Sequence, residues 1–412
     1  MIDFNTYRLK NGLRLLHYFD KNTQMVALNL LYDVGSKDEN PTATGLAHLF
    51  EHLMFTGSKN APAYDAALQA AGGTSNAWTS VDMTNYYETL PADNVETAFW
   101  LESDRLRYLN LSEENINTQK RVVIEEFKQR CLNVPYGDFC HLANALAYKV
   151  HPYRWPTIGL CTKHIENASH DEIKAFFARR YAVNNLILCV SGHVSFEQAV
   201  ALTEKWFGDF KASPIPPRTL PQEPIQTEQN LLAVKREVPH NTISMMYHMC
   251  GRGDADYQAC DMISDILSNG KSARFYRNVL VKSQLFTELD ASVTGTFDPG
   301  LFVVKARLAE GVSFAQAQKA IDRELADFLR TGTSTYEMEK CANKYESTDL
   351  FNQITYQKKA TKLCQYELLH EAADVNRETL KYRRLTSDDI IRVAHKMLVP
   401  NNCSILYYGP DA

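Results

Sequence analysis

The most informative segment of this sequence is Gly45-Leu-Ala-His-Leu-Phe-Glu-His-Leu-Met-Phe-Thr-Gly57. An α-helix turns about 100° per residue, so His48 and His52 lie on one side of a helix here, with Glu51 beside them. Leucine, phenylalanine and methionine side chains occupy most of the other positions, which predicts a buried helix. Three polar groups therefore converge on one point of an otherwise apolar segment.

The two ends of this helix are also predicted by residue type. We expect Thr44 to cap its start, because a threonine hydroxyl can accept a hydrogen bond from an exposed amide of the first turn. We expect Gly57 to end it, because glycine readily adopts the left-handed conformation that closes a helix.

Burying two imidazoles beside a carboxylate costs free energy unless a cation neutralises the group. Neutral imidazole nitrogens suit zinc, and a catalytic zinc takes three protein ligands and keeps one position open for water. The order His-x-x-Glu-His is a signature of zinc peptidases, the inverse of His-Glu-x-x-His. The pattern predicts His48 and His52 as ligands of one zinc ion, with Glu51 as the base. The alternative is a helix whose three polar side chains simply satisfy one another.

Composition narrows the class of protein. A chain of 412 residues, 45% hydrophobic, is long enough for two or three domains. Its net charge of -5 lacks the basic surplus of a general nucleic-acid binder. No apolar run or leader-like N-terminus occurs, so we expect no membrane span and a cytoplasmic location, or a periplasmic one after removal of a signal peptide. Nine scattered cysteines favour a reducing compartment.

An internal repeat organises the chain. Asn184-Asn185 recurs as Asn401-Asn402 and Gly192 recurs as Gly409, both at a separation of 217 positions, as in 409 minus 192. The same separation relates two helix starts, Ser169-His-Asp-Glu-Ile173 and Thr386-Ser-Asp-Asp-Ile390. We therefore predict an α+β chain of two homologous domains, each a mainly antiparallel sheet covered by helices on one face.

Prolines at five positions mark a linker between the halves: 214, 216, 217, 221 and 224. The predicted boundaries are 1–210 for a zinc-binding peptidase domain, 211–230 for the linker and 231–412 for an inactive repeat. In the second half, Met262-Ile-Ser-Asp-Ile266 is the nearest equivalent of the histidine motif and carries no histidine. The metal site is therefore single. Near the N-terminus, two strand-like runs around the turn Asp20-Lys-Asn22 predict a hairpin.

These residues resemble the M16 family of zinc peptidases, the inverzincins. The likeness extends to Gly72-Gly-Thr-Ser-Asn-Ala-Trp-Thr79 and His151-Pro-Tyr-Arg-Trp-Pro-Thr-Ile-Gly159. The length resembles the half-size type, which implies two chains that pair into a closed chamber and hydrolyse unfolded peptides there. It also implies that Asn76 and Ala77 contact the substrate backbone, since a peptide added to an edge strand binds largely through main-chain hydrogen bonds.

The resemblance also implies a third zinc ligand, a glutamate some 75 residues after the second histidine. Glu126 stands 74 residues beyond His52 and is preferred to its neighbour Glu125, which a helix would turn about 100° away. The family places a supporting glutamate seven residues before this ligand. Here that position holds Gln119, whose amide can hydrogen-bond a ligand but brings no charge, which would weaken zinc binding.

One departure from the family concerns the partner. Active members follow a glycine-serine-rich turn in the second domain with an arginine and, seven residues later, a tyrosine that grip the substrate carbonyl. This chain has Leu280 and Thr287 there, and Arg274, Tyr276 and Arg277 lie at the wrong spacing. We therefore expect a heterodimer, in preference to a homodimer, in which a second half-size chain supplies the pair.

Three functions stay open on the sequence. The first is a zinc endopeptidase subunit, with zinc held by His48, His52 and Glu126. The second is a non-catalytic assembly or binding subunit of the same fold, against which the intact Glu51 argues. The third is a structural zinc site, which would need a fourth protein ligand that the sequence does not offer.

Overall fold

Eleven strands form two sheets in the computed structural model, which describes residues 1–412. Six strands build the first sheet: β1 (Asn5–Arg8), β2 (Arg14–Phe19), β3 (Met25–Tyr32), β4 (Thr74–Thr79), β5 (Thr84–Pro91) and β6 (Leu186–Gly192). Five strands build the second: β7 (Asn230–Lys235), β8 (Thr242–His248), β9 (Phe286–Val293), β10 (Leu301–Leu308) and β11 (Cys403–Gly409).

Helices occupy most of the remaining chain. The first half contains α1 (Leu46–Leu53), α2 (Tyr64–Ala70), α3 (Val95–Tyr108), α4 (Glu113–Phe127), α5 (Phe139–Ala147), α6 (Thr162–Asn167), α7 (His170–Arg180) and α8 (Phe196–Phe207). The second half contains α9 (Tyr257–Ser268), α10 (Val281–Ser283), α11 (Phe314–Thr331), α12 (Thr335–Asn352), α13 (Tyr356–Leu369), α14 (Glu378–Arg384) and α15 (Ser387–Met397). Two π-helical segments cover Lys128–Leu132 and Phe275–Leu280. None of these helices is both long and apolar enough to cross a membrane.

Apart from the additional edge strand β1 in the first, the two sheets share one topology, which confirms the predicted duplication. The first has the order β1-β2-β6-β3-β5-β4 and the second β7-β11-β8-β10-β9. In each, one parallel pair, β2 with β6 or β7 with β11, is followed by antiparallel pairs only. Each domain is therefore a mainly antiparallel sheet with helices packed on it, as predicted.

The repeated asparagines perform the same task in both domains. Asn185 Nδ2 donates to the carbonyl of Arg180, at the end of α7, and Asn402 Nδ2 donates to that of Met397, at the end of α15. Each amide also donates to a second backbone carbonyl, that of Asp33 or that of His248. The two asparagines thus tie the end of α7 to the end of β3 and the end of α15 to the end of β8.

The predicted hairpin around residues 20–22 is wrong. Strands β2 and β3 are consecutive in the chain, but β6 lies between them and pairs with both. Strand β6 begins 154 positions after the end of β3 (186 − 32), is buried along its whole length and hydrogen-bonds to both neighbours. A local turn pattern cannot reveal such an insertion, because the insertion depends on a distant segment.

The compact units do not follow the predicted boundaries at 210 and 231. The first unit combines Met1–Gln129, Trp155–Leu220 and Leu350–Asn376, and the second combines Arg130–Arg154, Pro221–Asp349 and Arg377–Ala412. Each half of the chain therefore contributes one segment to the unit built mainly by the other half. The predicted boundaries assume that each domain is one continuous stretch of the chain. Packing does not require such continuity.

Helix α13 shows what the exchanged segment does in the first unit. Leu28 and Leu30 of β3 point into the core shared with α1, whereas Asn29 points to the opposite face of the sheet. Thr361 of α13 donates a hydrogen bond to Asn29 Oδ1 at 2.8 Å. The first sheet therefore has helices on both faces, whereas the prediction placed them on one face only.

Candidate metal centre

Helix α1 begins at a residue that the sequence did not single out as a cap. Gly45 precedes it with a φ of 92°, a left-handed conformation that suits glycine. The buried carboxyl group of Glu39 accepts from Gly45 N at 2.9 Å and from Ala47 N at 2.8 Å. Glu39 therefore satisfies two amides at the start of α1, which a helix cannot satisfy internally.

The predicted cap at Thr44 is wrong. Its hydroxyl oxygen accepts from Leu160 N at 2.8 Å and lies 2.9 Å from His164 Nδ1, so it joins α1 to a later loop. The predicted helix end at Gly57 is also displaced, because α1 stops at Leu53. Gly57 has a φ of 89° in the following turn, where the carbonyl of Pro62 leaves no space for a side chain.

The structure brings His48, His52 and Glu126 together. Glu126 Oε2 lies 3.6 Å from His48 Nε2 and 3.3 Å from His52 Nε2. One donor atom from each of the three residues lies within 4.8 Å of the others. Ligands about 2.0 to 2.1 Å from a tetrahedral zinc ion lie about 3.3 to 3.4 Å apart. Two imidazoles and one carboxylate at these separations fit such an ion.

Helix α4 positions Glu126 beside His48 and His52. Ser112 caps its start by accepting from Asn115 N, and Ile116 and Val123 bury one face in the core that also contains α1. Glu125 lies on the outside of α4, where it forms an ion pair with Lys128 at 2.7 Å. The directions of the two side chains thus show that Glu126, and not Glu125, faces the histidines.

Glu51 lies on the same helix, and its carboxylate reaches strand β4. Thr79, the last residue of that strand, donates a hydrogen bond from Oγ1 to Glu51 Oε2 at 2.6 Å. Strand β4 is at the edge of the first sheet and pairs only with β5. Asn76 and Ala77 lie in this strand, so both predicted substrate contacts are at an open sheet edge beside α1.

Gln119 lies two turns before Glu126 on α4 and is half-buried. The spacing of seven residues places both side chains on a common side of the helix. A supporting role for Gln119 behind a ligand stays a prediction.

A buried cation supports the turn that follows α1. The guanidinium of Arg105 lies over three aromatic rings, 5.5 Å from the centre of Phe55, 4.9 Å from Tyr64 and 4.7 Å from Tyr86. It also forms an ion pair with the buried Glu102. Such cation–π contacts strengthen when water is excluded, so Arg105 holds Phe55 and the end of α1 in place.

The second domain has no equivalent centre at α9, whose buried face carries Met262, Ile263 and Ile266. Leu280 ends the π-helical segment and packs against the apolar core of that domain. Thr287 is exposed on β9. Neither side chain offers the donors of an arginine and tyrosine pair.

The nearby Arg274 does not replace the missing arginine. Its guanidinium donates to both carboxylate oxygens of Glu337, at 2.7 and 2.9 Å, and to the carbonyl of Gly332 at 2.6 Å. It also lies 4.9 Å from the ring centre of Phe328. These contacts hold Arg274 within its own domain as a structural residue.

Comparison with known proteins assigns the chain to a family of peptidases. The model described as Insulinase (Peptidase family M16) matches residues 16–134, and that described as Peptidase M16 inactive domain matches residues 167–345. The chain belongs to peptidase family M16, as the sequence resemblance predicted.

Individual relatives agree with this family. The zinc protease PqqE of Helicobacter pylori is 26% identical over 411 residues, which cover 98% of this chain and 92% of that protein. The crystal structure of a protease from Helicobacter pylori matches with a TM-score of 0.93 and 26% identity, over 99% of this chain and 100% of that one. The periplasmic protease PqqL from Escherichia coli shares the fold at 16% identity and a TM-score of 0.82, over 100% of this chain and 48% of that one.

The sequence did not predict the roles of two residues in this region, Glu39 and Thr79. Glu39 lies six positions before Gly45, beyond the reach of the usual capping patterns, so no local signal indicated its role. Thr79 is the last residue of the segment Gly72-Gly-Thr-Ser-Asn-Ala-Trp-Thr79, but its hydrogen bond to Glu51 depends on how β4 packs beside α1. Both roles arise from tertiary contacts.

Glu39 leads to a prediction about pH. Burial raises the pKa of its carboxyl from the ordinary 4.5 to about 8, against the opposing effect of the two amide donors. The folded state therefore keeps a proton that the unfolded state loses, and stability falls as pH rises between these values. Glu39→Gln cannot titrate, so from pH 5 to pH 8 the unfolding free energy of the natural protein should fall relative to this variant by about 4 kcal/mol.

Urea denaturation of the metal-free chain at several pH values measures this difference. Glu237→Gln, at an exposed glutamate, is the matched control and should give a constant difference. Parallel curves for the natural protein and Glu39→Gln would show that Glu39 does not hold its proton in the fold.

Proposed function

We propose that this chain is a zinc-dependent endopeptidase subunit that hydrolyses unfolded peptides. The observation that carries the proposal is the convergence of two imidazole nitrogens and one carboxylate oxygen of His48, His52 and Glu126, with Glu51 on the same helix. Membership of family M16 and relatives named zinc proteases support zinc as the ion.

The three ligands would hold one zinc ion per chain. When bound, zinc would polarise a peptide carbonyl and lower the pKa of water at its open position. Glu51 then accepts a proton from the attacking water and returns it to the leaving amine. Helix α1 carries this base next to a ligand, and Thr79 holds one of its carboxylate oxygens.

Strand β4 would bind the substrate. Its outer edge has no strand neighbour in the sheet, so its backbone groups can pair with an extended peptide. Asn76 and Ala77 lie in the middle of this edge. Recognition through the main chain requires an extended peptide, which a folded protein does not present, and tolerates many side chains.

A second half-size chain would complete the enzyme. Leu280 has no hydrogen-bond donor, and the short Thr287 hydroxyl donates to the carbonyl of Arg307 in its own sheet, so neither replaces an arginine and a tyrosine at a developing oxyanion. We propose a heterodimer in which the partner supplies these groups and the two chains enclose a chamber. A homodimer would lack the pair in both copies.

Removal of one ligand tests the proposed function. His52→Ala leaves two protein ligands, so we expect it to lose both bound zinc and peptide hydrolysis, whereas the natural chain binds about one zinc. Zinc content by atomic absorption and cleavage of an unstructured fluorogenic peptide are the two measurements. His395→Ala, at an exposed histidine of α15, is the matched control and should retain both.

Two results would contradict the proposal. If the natural chain bound no zinc, the ligand assignment would fail. If it bound zinc but cleaved no peptide, alone or with any candidate partner, a non-catalytic assembly subunit would be the better description.

A further inference from the structure

Thr79 joins the proposed substrate strand to the proposed base. Its hydroxyl donates to Glu51 Oε2 at 2.6 Å, although the two residues are 28 positions apart in the chain. A hydrogen bond to an ionised carboxylate is shorter and roughly twice as strong as one between neutral groups. The contact is therefore strong enough to restrict where the Glu51 carboxylate points.

The geometry of β4 explains why Thr79 faces the helix. Side chains alternate along a strand, so Ala77 and Thr79 lie on one face. Ala77 packs against the core that contains α1, whereas the intervening Asn76 side chain is exposed. Thr79 thus continues the face directed at α1, while the backbone of the same strand presents its outer edge to solvent.

Pairing fixes this strand on one side only. Thr79 is opposite Thr84 of β5, and the other edge of β4 has no strand partner. A peptide that added to the outer edge would pair β4 on both sides and restrain its backbone. The restraint would reach Glu51 through the Thr79 hydroxyl, because the hydroxyl and the backbone belong to one residue.

We infer that Thr79 is a positioning residue that keeps Glu51 in the orientation for proton transfer and couples that orientation to peptide binding along β4. The inference rests on the proposed function, since it assigns Glu51 as the base. A general base must lie within hydrogen-bonding distance of the proton that it removes. Thr79 satisfies this requirement indirectly, without contact with the reacting atoms.

Kinetics separate positioning from mere structural support. Thr79→Val has nearly the same shape but no donor, so we expect kcat to fall about 10- to 100-fold, the equivalent of one hydrogen bond to a charged group. KM and zinc content should change less than about twofold, because main-chain pairing and the three ligands are retained. Thr79→Ser restores the donor and should recover most of kcat.

A matched control addresses loss of a buried hydroxyl in general. Thr203 donates to the carbonyl of Ala199 within α8, in the same domain and outside the metal centre. Thr203→Val should lower the unfolding midpoint without changing kcat at a temperature where it is folded. The assay uses the full chain, alone or with the partner that activates it.

A second measurement needs no activity. Urea denaturation of the zinc-free chain is compared for Thr79→Val, Glu51→Ala and the double variant. If the two side chains interact, the double variant loses less stability than the sum of the single changes. This cycle detects the hydrogen bond even if the enzyme assay is uninformative.

The outcomes distinguish the two claims. An additive cycle, or an unchanged kcat in Thr79→Val while the natural enzyme is active, would overturn the role of Thr79 and leave the proposed function intact. A low kcat that Thr79→Ser fails to recover would show a packing effect and also overturn the positioning role. A natural enzyme that cleaves no peptide under any condition would reject both.

Discussion

Glu51→Gln should abolish peptide hydrolysis while leaving about one zinc ion per chain. The amide cannot accept the proton of the attacking water, and a positioned general base contributes roughly 10²- to 10⁴-fold to the rate. Its carbonyl oxygen can still accept from Thr79, so the local structure should persist. The loss should therefore appear in kcat and not in metal content or stability.

The control for this variant is Glu125→Gln, which removes an exposed carboxylate that is paired with Lys128 on the outside of α4. It should retain both zinc and hydrolysis. The measurements are zinc content, the thermal midpoint of unfolding and cleavage of a fluorogenic peptide. Hydrolysis that survives in Glu51→Gln at near-normal rate would reject Glu51 as the base.

The second large effect concerns the partner. Each donor aimed at a developing oxyanion is commonly worth roughly 10²- to 10³-fold in rate, and this chain lacks two. The isolated chain at saturating zinc should therefore be a poor enzyme, and the correct half-size partner should raise kcat by about 10⁴-fold or more. Arg274 cannot compensate, because Glu337 and Gly332 already occupy its donors.

The test is to purify the chain alone and with candidate half-size chains, first one encoded beside it, and to compare hydrolysis of an unstructured peptide. Leu280→Arg combined with Thr287→Tyr places the pair in this chain and provides a complementary variant. Leu280→Arg alone serves as its control, because it adds charge without the second donor. Full activity of the isolated natural chain, unchanged by any partner, would refute the heterodimer.

Much of the fold was accessible from local patterns. The duplication was visible because Asn185 and Asn402 perform one task in two domains, and such a constraint preserves residue type at a fixed separation. The histidine helix was visible because a period of 3.6 residues brings His48, Glu51 and His52 to one side. These inferences needed only neighbours along the chain.

Other features required contacts between distant segments. Strand β6 enters between β2 and β3, and α13 crosses to the first unit, because buried apolar strands and helix faces select partners by surface and not by distance along the chain. The hairpin and domain-boundary predictions assumed that sequential neighbours pack together.

The candidate site divides in the same way. The sequence by itself indicated the candidate ligands and the candidate base, because His48, Glu51 and His52 lie within about one helix turn and the family resemblance adds Glu126. Only the tertiary structure decided that Glu126 and not Glu125 faces the histidines, that Glu39 starts α1, and that Thr79 holds Glu51. The physical reason is direction: a hydrogen bond or an ion pair between distant segments depends on where each backbone aims its side chain, and that is settled only when the sheets and helices pack.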